Sequence, residues 1–427
     1  MTWKFHMNNF SDPTWNQLLA ELHDCGTQLT SYERKVINLI ASDNACPDDL
    51  VSNAPYAGYM IQEGVLGKRP FAGADLHDRI EGIAAAAACK VFDAEHANMQ
   101  PHSCSQANQA VYHALLSNGD PVLALGFKAG GHLTHGLKLN FSGRAYNFTF
   151  YGTGHDGLID YDRAAELATQ TKPKLVICGS SAYPRLFDAQ RLRKIADSVN
   201  ARLMFDLSHE AGLIAGKVIP NPIPLADVAT MSLDKTLRGP FGGTILCRQE
   251  LATSIDKAVH PGTQSSFSVR KISDAANALI LTQGSPFQDY ARNVIINAKT
   301  LEHGFSHLPG AMLTGGTDKH YVVLDVQAAF GINGVDAEKR LEKIGILSNR
   351  QTLPTDASPR MADTSGLRLG TAWASSRGYC ESDFKEIAQI ICDVLASKGE
   401  KEMLLRCAGK VNSLALQTRK NDVWAPR

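Results

Sequence analysis

From residue 121 onward, short apolar runs alternate with stretches of helical period: PVLALG at 121–126, KLVICG at 174–179, RLMFD at 202–206 and GTILC at 243–247, with a helical pattern near 189–199. Apolar runs of this length predict strands buried on both faces. Their alternation with helices predicts βαβ units and a mostly parallel sheet covered by helices. Upstream, the alanine-rich pattern from Leu76 to Phe92 predicts a closely packed helix, and Gln106 to Leu116 predicts another, stopped by Gly119. Asp12-Pro13 reads as a cap and first-turn proline for a short amphipathic helix through TWNQLLAELHD, which could lie on its own domain or on a partner. The glycine-rich segment at 58–74 predicts an ordered loop.

Beyond about residue 285 the texture changes. A long helix through YARNVIINAKTLEHGF, a strand at HYVVLDV, a helix at DAEKRLEKIG, a strand at GLRLG and a terminal helix from Asp383 predict a smaller α+β unit. The expected organisation is an N-terminal arm over 1–45, a large domain over 46–284 and a small C-terminal domain over 285–427. With 427 residues, 44% of them hydrophobic, the chain can build a sizeable core, so disorder is a poor expectation. Forty-three basic and 43 acidic residues cancel without long blocks of either sign, which gives no signal for nucleic acid or an anionic membrane. No run of eighteen apolar residues and no leader pattern occurs, so the expectation is a cytoplasmic protein. Nine cysteines without CxxC pairs predict free thiols and no zinc site.

The sharpest chemistry lies in FDLSH at 205–209 and MSLDKTLRGPFGG at 231–243. Asp206 closes an apolar run and so falls at the carboxyl end of a buried strand, where open sheets bind ligands. His209 follows closely. Lys235 lies in a polar turn after the next strand, where a lysine of lowered pKa can form an imine with an aldehyde. A carboxylate for a pyridine nitrogen and a lysine for an aldehyde are the two requirements of pyridoxal phosphate chemistry. The same residues also fit a strand-end aspartate and a surface lysine, and the pattern by itself leaves both readings open.

In order along the chain, LIASDN at 39–44, EGVLGKR at 63–69, QPHSCSQANQAVY at 100–112, GGHLTHG at 130–136, SAYPR at 181–185, FDLSHEAGLIAG at 205–216, DKTLRGPFGG at 234–243 and GLRLGTAWASSRG at 366–378 resemble the serine hydroxymethyltransferase family. The resemblance implies the aspartate-aminotransferase-like α/β fold (pyridoxal phosphate fold type I), with a large mostly parallel-sheet domain and a smaller C-terminal domain. It also implies a homodimer, or a tetramer, whose sites draw on two subunits. Lys235 becomes the Schiff-base lysine, Asp206 the partner of the pyridine nitrogen, His132 the residue stacked on the ring, and His209 a hydrogen-bonding group near the phenolic oxygen or the substrate. Ser103, Cys104 and Ser105 would cradle the phosphate before the Gln106 helix, with Cys104 standing where the family has glycine. Gly262, Thr263 and the Gly242-Gly243 pair resemble phosphate contacts made from the neighbouring subunit. Arg368 would clamp the substrate carboxylate with help from Ser42; Ser181 and Tyr183 would lie close to the cofactor, and Glu63 would transfer a proton during Cα–Cβ cleavage.

The departures are selective. Ile61, Pro70 and Phe71 stand where the family carries tyrosines, Asp234 replaces the histidine before the lysine, and Phe241 replaces an arginine. Asn349-Arg350-Gln351, near the family's folate region, also departs from its pattern. Loss of polar partners for a pterin argues against tetrahydrofolate as a cosubstrate. The expectation is therefore an aldolase or transaldolase that cleaves or forms the Cα–Cβ bond of threonine- or serine-like β-hydroxy amino acids, with amino acids and aldehydes as substrates. The alternative is tetrahydrofolate-dependent serine/glycine or α-methylserine hydroxymethyl transfer. A homologue that binds the cofactor without turnover is disfavoured by intact Lys235, Glu63 and Arg368.

Overall fold

The computed structural model describes residues 15–47, 50, 58, 61–357, 360, 362–397 and 399–417. Its centre is a seven-stranded sheet built from β1 (His96–Asn98), β2 (Pro121–Leu125), β3 (Asn147–Tyr151), β4 (Leu175–Gly179), β5 (Arg202–Asp206), β6 (Val228–Ser232) and β7 (Gly243–Cys247). The spatial order is β1-β7-β6-β5-β4-β2-β3. β3, β2, β4, β5 and β6 run parallel, whereas β7 is antiparallel to both β6 and β1. The four strands predicted from apolar runs are all present.

Both faces of the sheet are covered, which explains why its strands read as continuous apolar runs. Along β4, Val176 and Cys178 join one core with Ala84, Ala88 and Phe92 of the Asp75–Phe92 helix; Leu175 and Ile177 join the opposite core with Val111 and Tyr112 of the Cys104–Leu115 helix. The alternation is the period-two geometry of a strand. Asp206 ends β5 at the middle of the sheet, opposite Gly179 on one side and Thr230 on the other.

A second core gathers Leu301 and Phe305 of the long Ser285–Phe305 helix, strands β8 (Tyr321–Asp325) and β10 (Gly366–Gly370), and the Glu381–Ala396 helix, with the half-buried β9 (Asn349–Gln351) beside β10. These three strands form an antiparallel sheet with β10 in the centre. The predicted terminal helix is two: after Gly399 a further helix, Lys401–Leu416, buries Cys407, Val411 and Leu414 at helical spacing.

The N-terminal helix runs Trp15–Glu33; the Asp12-Pro13 cap lies outside the described residues. The chain then enters the second core, where Ile37 and Leu39 are fully buried and Ile37-Asn38 pairs in parallel with Ile346-Leu347. Within the predicted loop at 58–74, Ile61–Glu63 forms a short strand against Ser266–Ser268. None of the nine cysteines, all among the described residues, is in a disulfide. No described helix is long and apolar enough to cross a membrane.

Candidate active site

A pocket of about 300 Å³ opens at the carboxyl ends of β5 and β6, lined by Asp206, Ser208, His209, Ser232, Asp234 and Lys235. Ser42, Asp43, Ser103, Cys104, Ser105, His132, Ser180, Ser181, Phe241 and Gly242 complete its wall.

Asp206 is the most heavily bonded group in it. Oδ1 accepts from Ser208 Oγ (2.6 Å), Ser208 N (3.1 Å) and the Cys104 thiol (3.7 Å), while Oδ2 accepts from Asn108 Nδ2 (3.0 Å) and His135 Nε2 (3.2 Å). Tyr112 Oη, 2.6 Å from His135 Nδ1, fixes the tautomer that aims the His135 proton at the carboxylate. Burial alone would raise the Asp206 carboxyl; the hydrogen bonds from His135 and Ser208 hold it well below the usual carboxylate range. It is therefore an anion sealed inside the fold, suited to a protonated ring nitrogen. His132, His135 and Asp206 offer ligand atoms within 4.8 Å of one another, but His135 and Asp206 spend theirs on each other.

Lys235 sits in the turn after β6. Its Nζ lies 3.2 Å from His209 Nε2, and His209 Nδ1 lies 3.2 Å from His320 Nε2, whose proton goes to the Ala41 carbonyl (3.1 Å). Because His320 Nε2 carries that proton and shares it, His209 Nδ1 accepts and its Nε2–H points at the Lys235 nitrogen. Burial pushes the Lys235 ammonium below its ordinary value, in keeping with a free amine ready to attack an aldehyde. His132 is half-buried, and desolvation lowers its imidazolium to about 4; Thr134 Oγ1 occupies its Nδ1 at 2.7 Å.

At the third end of the pocket, Ser103 caps the Cys104–Leu115 helix in an extended conformation, its side chain accepting from Gln106 N. A helix N-terminus with Ser103, Cys104 and Ser105 in the pocket wall suits an anion. The backbone is drawn tight there: a Cβ on Gly243 would stand 2.4 Å from the Ser103 carbonyl oxygen, so only glycine fits. An ionised carboxylate, a depressed amine and a helix N-terminus ringed by serines match the nitrogen, aldehyde and phosphate of pyridoxal phosphate.

Arg368, in the middle of β10, reaches over from the small sheet. Its Nε donates to Asn349 Oδ1 (3.1 Å), its Nη1 donates to the Ser181 carbonyl, and the guanidinium lies 5.8 Å from the Tyr321 ring centroid. Burial lowers its pKa, and no carboxylate among the described residues is bonded to it. A buried cation held only by neutral acceptors is a receptor for a carboxylate.

The model of the family described as serine hydroxymethyltransferase matches residues 17–391. The chain belongs to the serine hydroxymethyltransferase family. Its members are pyridoxal phosphate-dependent transferases of fold type I. A serine hydroxymethyltransferase of Mesoplasma florum is 42% identical over 369 residues, covering 86% of this chain and 89% of the relative. One from Mycoplasma capricolum subsp. capricolum is 41% identical over 380 residues, covering 88% and 92%.

In this serine hydroxymethyltransferase-family chain, Ser42, Ser103, Cys104, Ser105, His132, Ser181, Asp206, His209 and Lys235 share one pocket. Gly242 lines the pocket of its own protomer, although the sequence reading assigned the Gly242-Gly243 pair to the neighbouring subunit. Tyr183 does not line it: its hydroxyl accepts from Ile159 N (3.4 Å) and its ring packs at 5.5 Å on Phe187. Glu63, Gly262 and Thr263 stand outside it as well. Glu63 accepts from Ser265 Oγ at 2.6 Å, and Thr263 Oγ1 turns to the Ala258 carbonyl. Sequence reasoning missed Asn108, His135, Ser208 and His320. The second histidine of GGHLTHG and the i, i+4 spacing of Cys104 and Asn108 were the available signals.

Proposed function

We propose that this protein is a pyridoxal phosphate-dependent hydroxymethyltransferase that interconverts serine and glycine, with tetrahydrofolate carrying the one-carbon unit. The observation behind the reading is the convergence on one pocket of an ionised Asp206 and a depressed Lys235, with Arg368 bonded to the pocket residue Ser181. The names of the relatives support the folate-linked form of the reaction.

Bound there, the cofactor supplies an electron sink for the pair released at the substrate Cα. Asp206 would hold the ring nitrogen in its protonated form, and His132 would lie against the ring. Ser103, Ser105 and the helix N–H groups would hold the phosphate, and Lys235 would hold the aldehyde carbon. Arg368 fixes the carboxylate and thereby the orientation of the Cα bonds. Glu63 takes the β-hydroxyl proton as the Cα–Cβ bond opens. Because Glu63, Gly262 and Thr263 lie outside the pocket of their own protomer, the reading has a second copy of the chain supplying them.

A second reading rests on Ile61, Phe71 and Phe241, which are 63%, 40% and 73% exposed where polar partners for a pterin were expected. On it, the same residues cleave threonine-like β-hydroxy amino acids to glycine and an aldehyde without folate. The deciding assay follows glycine formation by the cofactor-loaded protein from serine and from threonine, with and without tetrahydrofolate. Folate-stimulated turnover of serine is expected. Threonine cleavage indifferent to folate, with idle serine, would move the assignment to the second reading.

A further inference from the structure

The phosphate cradle has a lysine beneath it that the mechanism above does not use. Lys271 lies in the first turn of the Val269–Leu281 helix, which Ser268 caps by accepting from Lys271 N at 3.2 Å. Its side chain runs under the glycine loop: a Cβ on Gly242 would stand 2.9 Å from Lys271 Cδ and 3.4 Å from Cε. The Nζ donates to the carbonyls of Met99 and Pro101, the latter at 3.1 Å. Pro101 O also accepts from Gly243 N at 3.1 Å, so the ammonium ties together the turn that leads into Ser103 and the loop that carries Gly242.

Its nearest carboxylate is already committed. Glu81 is bonded to Arg69, itself sealed from solvent, and to Gln100 Nε2 at 2.9 Å. Lys271 has no ion pair of its own among the described residues. Desolvated against two carbonyls and with no bonded carboxylate, the Lys271 ammonium is lowered to about 7, and an anion close by would favour its charged form. The pocket wall it underlies is the one built from Ser103, Cys104, Ser105 and Gly242.

We infer that Lys271 is a positioning residue for the phosphate of the cofactor: its charge draws the dianion into the cradle, and its two hydrogen bonds hold the Met99–Ser103 turn in the shape that receives it. This rests on the proposed cofactor.

The test compares two ligands that differ only in that group. Apoprotein of the wild type, Lys271→Gln and Lys271→Met is titrated with pyridoxal phosphate and with pyridoxal, following intrinsic fluorescence, and its thermal midpoint is read with and without inorganic phosphate. The expected result is a loss of tenfold or more in affinity for pyridoxal phosphate, with pyridoxal affinity unchanged and the midpoint rise caused by phosphate diminished. Lys271→Gln keeps an amide donor for the carbonyls, so it folds even if Lys271→Met does not. Equal losses for both ligands would make Lys271 a brace of the fold and overturn the inference, as would undiminished phosphate affinity. Wild-type protein that binds neither ligand would overturn the cofactor reading itself.

Discussion

Lys319 and Glu210 form an ion pair with both side chains shut away from solvent, joining the turn before β8 to the residue that follows His209. Lys319 Nζ also reaches Ser180 Oγ at 3.3 Å, and its charge lies 5.0 Å from the Phe187 ring centroid. Beside it, His209 and His320 stack with centroids 5.2 Å apart, so two consecutive residues from each side couple the small sheet to the cofactor pocket.

Breaking this pair on one side leaves a buried charge without a partner. Lys319→Met or Glu210→Leu alone should cost about 3–5 kcal/mol of stability. The double variant should recover most of it, because two apolar side chains strand no charge. Chemical melts of the four proteins measure the coupling; purely additive losses would show that the pair does not act as a unit.

Lys235→Ala should lose the yellow colour of bound cofactor and fall in turnover by about three orders of magnitude. Asp206→Asn keeps the shape but removes the charge opposite the ring nitrogen, for an expected loss on the order of 100-fold in kcat. Steady-state kinetics on cofactor-saturated protein separates these from weak binding.

Arg368→Lys retains a cation and loses the fork. The predicted effect is a rise in KM for serine of roughly 30-fold, or about 2 kcal/mol, with a smaller change in kcat. A kcat loss with KM unmoved would argue against a role as carboxylate clamp.

Acid should destabilise the apoprotein through its enclosed histidines. Burial lowers the imidazolium pKa of His132 to about 4 and of His320 to about 3, and lowers that of His209 as well. Between pH 6.5 and about 4 the unfolded chain takes up protons that the folded site refuses, so stability falls as pH falls, by about 1.4 kcal/mol per pH unit for each imidazole. Asp206 is shifted downward as well: its contribution is present above the ordinary aspartate pKa and is lost only below it. Urea melts across this window should show His132→Phe with a slope shallower by about one proton.

The sheet was legible where burial on both faces leaves an unbroken apolar run, as in Leu175–Gly179 and Arg202–Asp206. It was not legible in Asn147–Tyr151, an edge strand with mixed exposure, or in His96–Asn98, three residues long. The Lys401–Leu416 helix carried its signal in Cys407, Val411 and Leu414, but its exposed faces diluted it. In the site, Asp206 and Lys235 could be read from their places at strand ends. Asn108 and His135 could not, because their roles come from converging on one carboxylate from 98 and 71 residues away, and Ser208 gains its role only from the turn that brings its hydroxyl back to Asp206. Tyr183 shows the converse: a motif match put it beside the cofactor, and packing on Phe187 turned it away.

The pairing of Ile37-Asn38 with Ile346-Leu347 brings together segments from opposite ends of the chain, and Asn44 then donates to the carbonyl of Lys235 at 2.8 Å. During synthesis the first of these strands leaves the ribosome long before its partner exists. The large sheet can collapse meanwhile from contacts close in sequence, while Ile37 and Leu39 wait as exposed apolar residues. The small core closes late, so truncation of the last hundred residues would yield a chain with an intact sheet, no second core and a sticky N-terminal segment.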